Sequence, residues 1–153
     1  MDIRQLRSGN LVTTNGEPAG TTKGNIYNVL DTNSKNRLDD LIGSATIATK
    51  EIEYRSLTDI WAKDLEPIEI TEELLEKIGF KKDKFVFSTK IGFYDIDIVH
   101  YHNCDFNERF NLVIYDSEGD ILLEATVSYL NQLQNMIYYM IYIDLNVDNL
   151  ITK

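Results

Sequence analysis

The stretch Tyr94-Asp95-Ile96-Asp97-Ile98-Val99-His100-Tyr101-His102-Asn103-Cys104 gathers most of the side chains of this 153-residue chain that could do chemistry. Two carboxylates three residues ahead of two histidines are the raw material of a metal site or of paired acid/base catalysis. Spacing works against a joint site. On one extended strand, successive side chains point to opposite faces, so Asp95 and Asp97 share one face while His100 and His102 share the other, with Cys104 in line with the histidines. Convergence would require a bulge or ligands from elsewhere. His100 and His102 are the only histidines, so a transition metal held by them would need two further ligands from other residue types. The alternatives are a solvated or hydrogen-bonded histidine pair and a polar, outward-facing aspartate pair.

Other catalytic patterns are missing. The chain has no glycine-rich phosphate loop, no nucleophile elbow, no zinc-protease motif and no cysteine-based triad. Cys104 is the single cysteine, which excludes an internal disulfide and fits a reducing compartment. No Lys or Arg close in sequence is placed to stabilise its thiolate, so it reads as a half-buried strand thiol. No cofactor is implied.

A second candidate is a surface rather than a reaction centre. Met136-Ile137-Tyr138-Tyr139-Met140-Ile141-Tyr142-Ile143 is apolar all round, more than one face of a surface helix needs. It reads either as deeply buried or as a contact for a protein partner or a second copy, since Tyr and Met are enriched at interface cores. Tyr138, Tyr139 and Tyr142 are the binding candidates here, with Trp61, the only tryptophan, as a fourth.

Charge narrows the partner. The net charge of −10 argues against nucleic-acid binding, which Lys and Arg carry. Residues 1–66 hold 8 basic and 10 acidic side chains, residues 67–153 hold 7 and 15, so the excess lies in the second part. Such a surface either keeps the protein soluble or meets a basic partner as nucleic acid would. The longest apolar run has eight residues, against roughly 20 for a membrane-spanning helix. Arg4 and Arg7 are followed by no apolar stretch, so no secretory signal is expected.

The elements that must position these residues are legible from periodicity. Residues 9–14, 25–30, 45–49 and 51–56 read as short strands, the first ending at the Asn15-Gly16 turn; several such strands within some 70 residues predict a small, partly open, SH3-like β-barrel over residues 1–70. Thr32 to Asp40 is polar and reads as an insertion or helical turn. A helix follows over Thr71 to Ile78, capped by Thr71 and stopped by Gly79, with Leu74, Leu75 and Ile78 on one face and Phe80 packing back against it. After a basic turn at residues 81–84, four strands are expected at 85–89, 91–102, 108–115 and 121–127, the last two joined by a turn at 116–120. Leu130, Leu133, Ile137 and Met140/Ile141 recur at helical spacing across Ser128 to Tyr142. The expected class is therefore α+β: a small barrel, a short linking helix, then over residues 71–153 an antiparallel meander packed by a C-terminal helix.

Three segments, in this order and spacing, resemble a family of uncharacterised small proteins of phages and mobile elements of Bacteroides and related gut bacteria. They are the opening Leu6-Arg7-Ser8-Gly9-Asn10-Leu11-Val12, the central run from Leu65-Glu66-Pro67 through Thr71-Glu72-Glu73-Leu74-Leu75-Glu76-Lys77-Ile78-Gly79-Phe80 to Lys82, and Tyr129-Leu130-Asn131-Gln132-Leu133-Gln134-Asn135. The chain departs from the family's pattern at residues 32–43, which look inserted, and at residues 140–148, where the ending is longer and more apolar. The resemblance carries over no catalytic residue. It implies a setting: a phage-encoded or phage-derived protein in the bacterial host cytoplasm or in the virion. Three functions fit these readings: a non-enzymatic accessory protein binding a host protein or small ligand, in a counter-defence role for example; a virion structural or packaging component; and a metal-dependent hydrolase using Asp95, Asp97, His100 and His102.

Overall fold

The computed structural model describes residues 2–33, 44–48, 57–101 and 109–150. The chain is mixed α+β and forms two compact units, Met1–Ile68 with Leu150–Lys153, and Glu69–Asn149.

The first unit is one antiparallel sheet of five strands. β1 (Leu11–Thr14), β2 (Tyr27–Asn33), β3 (Ser44–Ala48), β4 (Leu57–Trp61) and β5 (Leu65–Glu66) lie in the order β4-β3-β2-β1-β5, with a 3-10 turn at Ala62–Asp64 leading into β5. Val12, Tyr27, Val29, Ala45, Ile47, Ile60 and Leu65 form its core with Leu6 and Ala62. Among the described residues the sheet is open: the outer strands β4 and β5 are not paired with each other.

One expectation shifts. β2 runs on through Asp31, Thr32 and Asn33, because a register shift between Val29 and Asp31 absorbs Leu30 as a bulge and lets the polar residues keep pairing with β3. The expected strand at 51–56 lies outside the described residues, and Trp61 is the last residue of β4. The opening motif has a structural use. Asn10 is fully buried, its Oδ1 accepts the Arg7 amide at 2.9 Å, and Gly9 supplies φ 89° for the turn that delivers the chain to β1.

The second unit begins with α1 (Glu72–Lys77). Thr71 Oγ1 accepts the Leu74 amide at 3.2 Å as its N-cap, and Glu72 and Glu73 sit in the positive first turn. Gly79 at φ 97° ends it, and the Phe80 amide returns to the Leu75 carbonyl at 3.0 Å, so the buried Phe80 folds back as its position past the glycine requires.

A five-stranded meander follows: β6 (Lys81–Asp83), β7 (Val86–Ile91), β8 (Tyr94–Tyr101), β9 (Arg109–Tyr115) and β10 (Ile121–Val127), in the order β10-β9-β8-β7-β6. The first of these corrects the sequence reading. Lys81–Asp83 is an edge strand, not a turn, and the turn is Lys84-Phe85 between the paired Asp83 and Val86. Lys84 adopts φ 56°, the left-handed backbone that a two-residue hairpin needs. An all-polar, exposed edge strand carries no hydrophobic alternation to announce it.

Alternation sorts the other strands into two faces. Phe87, Ile96, Ile98, His100, Phe110, Leu112, Ile114 and Val127 are all buried on one of them. Fully burying each such aliphatic or aromatic side chain contributes roughly 1.5–3 kcal/mol. α2 (Leu130–Ile141) starts where β10 ends and buries Leu130, Leu133, Ile137 and Ile141. Gln132 Oε1 accepts the Ser128 and Tyr129 amides, so the helix begins later than its periodicity indicated. Tyr142 takes φ 56° and stops it. Twelve helical residues span about 18 Å, close to the length of a strand, which brings α2 back to the opposite end of the sheet. Beyond its end, Ile143 reaches the β7–β8 turn: a β-carbon placed on Gly92 would stand 3.2 Å from Ile143 Cδ1.

Two of the three resemblance segments meet here. Glu69 forms a bridge with Tyr129, and the Ile70 amide donates to the Ser128 carbonyl at 3.0 Å, which ties the strand-like entry to α1 onto the start of α2.

Candidate functional site

β8 keeps the aspartates and the histidine apart. Asp95 is exposed and Asp97 half-buried on one face, while His100 is buried on the other with Ile96 and Ile98. Pairing to β7 and β9 runs through this strand without a register shift, so no bulge turns the groups toward one another. Both carboxylates are engaged across the sheet with the β7 residues opposite them. Ser88 Oγ donates to Asp97 Oδ1 at 2.6 Å, and Lys90 Nζ stands 3.4 Å from Asp95 Oδ1. His102 and Cys104 lie outside the described residues. Among the described residues, no group of three or more His, Cys, Asp or Glu is placed to hold a metal ion.

His100 has a different set of neighbours. Its Nδ1 is 2.9 Å from Glu72 Oε1, and its ring stacks on Phe110 with centroids 4.4 Å apart and planes 19° apart. The other carboxylate oxygen of Glu72 accepts a hydrogen bond from Lys82 Nζ, and that ammonium also lies 5.4 Å from the centre of the Phe87 ring. The chain Lys82–Glu72–His100 thus joins β6, α1 and β8. The Lys82 ammonium, and then His100, hold the Glu72 carboxyl below the usual carboxylate range, and Glu72 in turn raises Lys82 above its ordinary value. A carboxylate that orients a histidine is found in acid/base sites. Here the ring is only 3% exposed and has Phe110 on its face, so the cluster serves as a clamp that docks the short helix on the sheet.

This arrangement was not legible in linear sequence. Glu72 reads as a helix N-terminal charge and Lys82 as a turn residue, and 28 residues separate Glu72 from His100. Only the hairpin geometry of the meander brings them together.

The surface candidate is more open. Within Met136–Ile143 the two readings divide by residue: Ile137 and Ile141 are buried, Met136, Tyr138 and Met140 half-buried, and Tyr139, Tyr142 and Ile143 exposed. Tyr138 makes edge-on contacts with both Tyr139 and Tyr142, at 5.8 and 6.2 Å between ring centroids, so the three rings form one ladder. Tyr142 is 79% exposed, and so is Phe93, which follows Gly92 in the turn that Ile143 touches. Sequence reasoning missed Phe93 because a single aromatic in a two-residue turn belongs to no period. Trp61, 49% exposed at the end of β4, belongs to the first unit.

Exposed large apolar side chains gathered into one contiguous patch are uncommon on a monomer. No helix among the described residues is long and apolar enough to cross a membrane. The chain matches no protein-family model, no curated protein and no solved structure.

Proposed function

We propose that this chain is a non-enzymatic accessory protein of phage or mobile-element origin that acts by binding a protein partner inside the bacterial host, in a counter-defence role for example. One observation carries the binding reading: Tyr139 and Tyr142 stand exposed at the end of α2, just before Ile143 reaches the β7–β8 turn that holds the exposed Phe93. Aromatic residues of this kind supply most of the binding energy at protein interfaces, because each offers a large rigid surface at low entropic cost. The alternative of a hydrolase built on Asp95, Asp97, His100 and His102 lacks comparable support, since the aspartates and His100 face opposite ways. The strand order β4-β3-β2-β1-β5, with a 3-10 turn before the last strand, supports an SH3-like, partly open barrel for the first unit. The phage or mobile-element setting rests on the three sequence segments that resemble that family.

The test is affinity capture from host lysate with the tagged wild-type chain and with a Tyr139→Ser/Tyr142→Ser variant, alongside native mass determination of each. A stoichiometric partner held by the wild type and lost by the variant is the expected outcome. A partner retained equally by both, or a bare oligomer of the same size for both with no partner, contradicts the patch reading; the second moves the weight to a virion component.

A further inference from the structure

One edge of the second sheet is open. β10 is its outermost strand and pairs with β9 alone. Leu112 and Ile114 on β9 are fully buried, whereas Ala125 and Leu123 opposite them are half-buried, and Ile121, Leu122, Glu124 and Thr126 are exposed. Among the described residues, nothing hydrogen-bonds to the outer side of the backbone between Ile121 and Val127. Beyond Val127 the backbone is in use: the Ser128 carbonyl accepts the Ile70 amide, and the Ser128 amide donates to Gln132 Oε1. The two edges of this sheet differ in how they are guarded. β6 offers three residues, Lys81, Lys82 and Asp83, all charged. β10 offers seven without a Lys, Arg or Pro, and its one irregularity, at Leu122, is followed by five regular pairs from Leu123 to Val127. An edge of this length without those residues is a template for a further strand.

We propose that this edge takes up an extended segment of a partner protein, paired strand to strand with β10 and carrying Lys or Arg opposite Glu124. The ring ladder of α2 takes no part in it. Strand addition draws affinity from main-chain hydrogen bonds and specificity from alternate side chains. Ile121, Glu124 and Thr126 share one face with Tyr115, Val113 and Asn111, their partners on β9, while Leu123 and Ala125 share the other with Ile114 and Leu112. Glu124 is the one charge within the strand, and Glu118 and Asp120 precede it in the turn. Among the described residues none of these three carboxylates has a Lys or Arg partner, and Glu124 Oε1 accepts only the neutral Asn111 amide at 2.8 Å. A cation directly opposite on an added strand stabilises the pairing, and a carboxylate there opposes it. The same charge disfavours a second copy as the occupant. Two β10 strands paired antiparallel over their whole length set Glu124 opposite Glu124, and a slip of two residues leaves them diagonal neighbours.

The probe is a labelled synthetic peptide of alternating lysine and valine, with two counterparts. In one every lysine is replaced by glutamate; in the other the side chains are unchanged and neighbouring backbone amides are methylated, so that neither edge of the peptide can pair. Binding to the full chain is read by fluorescence anisotropy, and its location by amide hydrogen exchange. The lysine peptide is expected to bind at least about tenfold tighter than either counterpart and to slow exchange within Ile121–Val127. Its preference over the glutamate peptide is expected to fall about tenfold in Glu124→Lys and to stay in Glu17→Lys, which reverses an exposed carboxylate of the other unit. The Tyr139→Ser/Tyr142→Ser variant is expected to bind the lysine peptide as the wild type does, so this test and that of the aromatic patch fail separately. Equal binding of the methylated peptide overturns strand pairing, as does slowed exchange elsewhere than in β10. An equal fall in the Glu124→Lys and Glu17→Lys variants, or none in either, overturns the place given to Glu124. Absence of binding overturns the whole proposal. Protection of β10 in the chain alone that disappears on dilution identifies a second copy as the occupant and overturns it as well.

Discussion

Ile143 Cδ1 occupies the space over Gly92, 3.2 Å from where a β-carbon would stand, and so fixes the segment after α2 to the β7–β8 turn. The exposed Phe93 follows Gly92 in that turn, and the exposed Tyr142 precedes Ile143. Gly92 also has φ 62°, which an L side chain adopts at a cost of about 1–2 kcal/mol. Gly92→Ala is therefore expected to destabilise the protein by roughly 1–2 kcal/mol in urea unfolding, through strain together with displacement of Ile143. Unchanged stability would mean that the turn and the C-terminal segment are not coupled.

The clamp on α1 gives a stability prediction with a sign in pH. Glu72 has its pKa lowered in the folded state by Lys82 and His100, so its contribution is fully present above the ordinary value of 4.5 and is lost as pH falls through the depressed one. Glu72→Ala is expected to cost roughly 1–3 kcal/mol at neutral pH, chiefly because the buried His100 loses its carboxylate. The gap between wild type and variant should narrow as pH falls below 4.5. A gap independent of pH would make the loss one of helix packing, not of the charged cluster.

Lys84 sits in the left-handed region at φ 56° within a two-residue hairpin turn, where Gly or Asn is the favoured residue. Lys84→Gly is expected to raise stability by up to about 1 kcal/mol in thermal or urea unfolding. Destabilisation would show that the lysine side chain contributes more than its backbone strain costs.

Thr71 closes the first turn of α1 through its hydroxyl, 3.2 Å from the Leu74 amide. Thr71→Ala is expected to lose about 1 kcal/mol, and Thr71→Ser to keep most of it. Equal stability of all three would mean that α1 is held by its tertiary contacts alone.

Where one face of an element is buried, its pattern could be read in advance. Phe110, Leu112 and Ile114 alternate as a half-buried strand must, and Leu130, Leu133 and Ile137 recur at helical spacing. The Thr71 cap and the Gly79 stop are local chemistry, so they too were visible. β6 was not, because Lys81–Asp83 is exposed on both faces and leaves no alternation to read. The extra length of β2 was hidden for a related reason, since the bulge at Leu30 breaks the period. For the candidate site, Tyr139 and Tyr142 could be named from an excess of apolar residues, although periodicity could not say which would be buried. Phe93 and the Glu72–His100 pair are products of topology: each depends on which turn or strand the meander brings alongside, and that information is spread over the whole unit.

The central claim is that the ring ladder and the β7–β8 turn form a protein-binding surface, and the most direct measurement is capture from host lysate by the wild-type chain against Tyr139→Ser/Tyr142→Ser. Both tyrosines are exposed, so the variant is expected to keep the wild-type unfolding midpoint. The account predicts one stoichiometric partner on the wild type that is missing from the equally folded variant. The same partner on both chains in equal amount would contradict it.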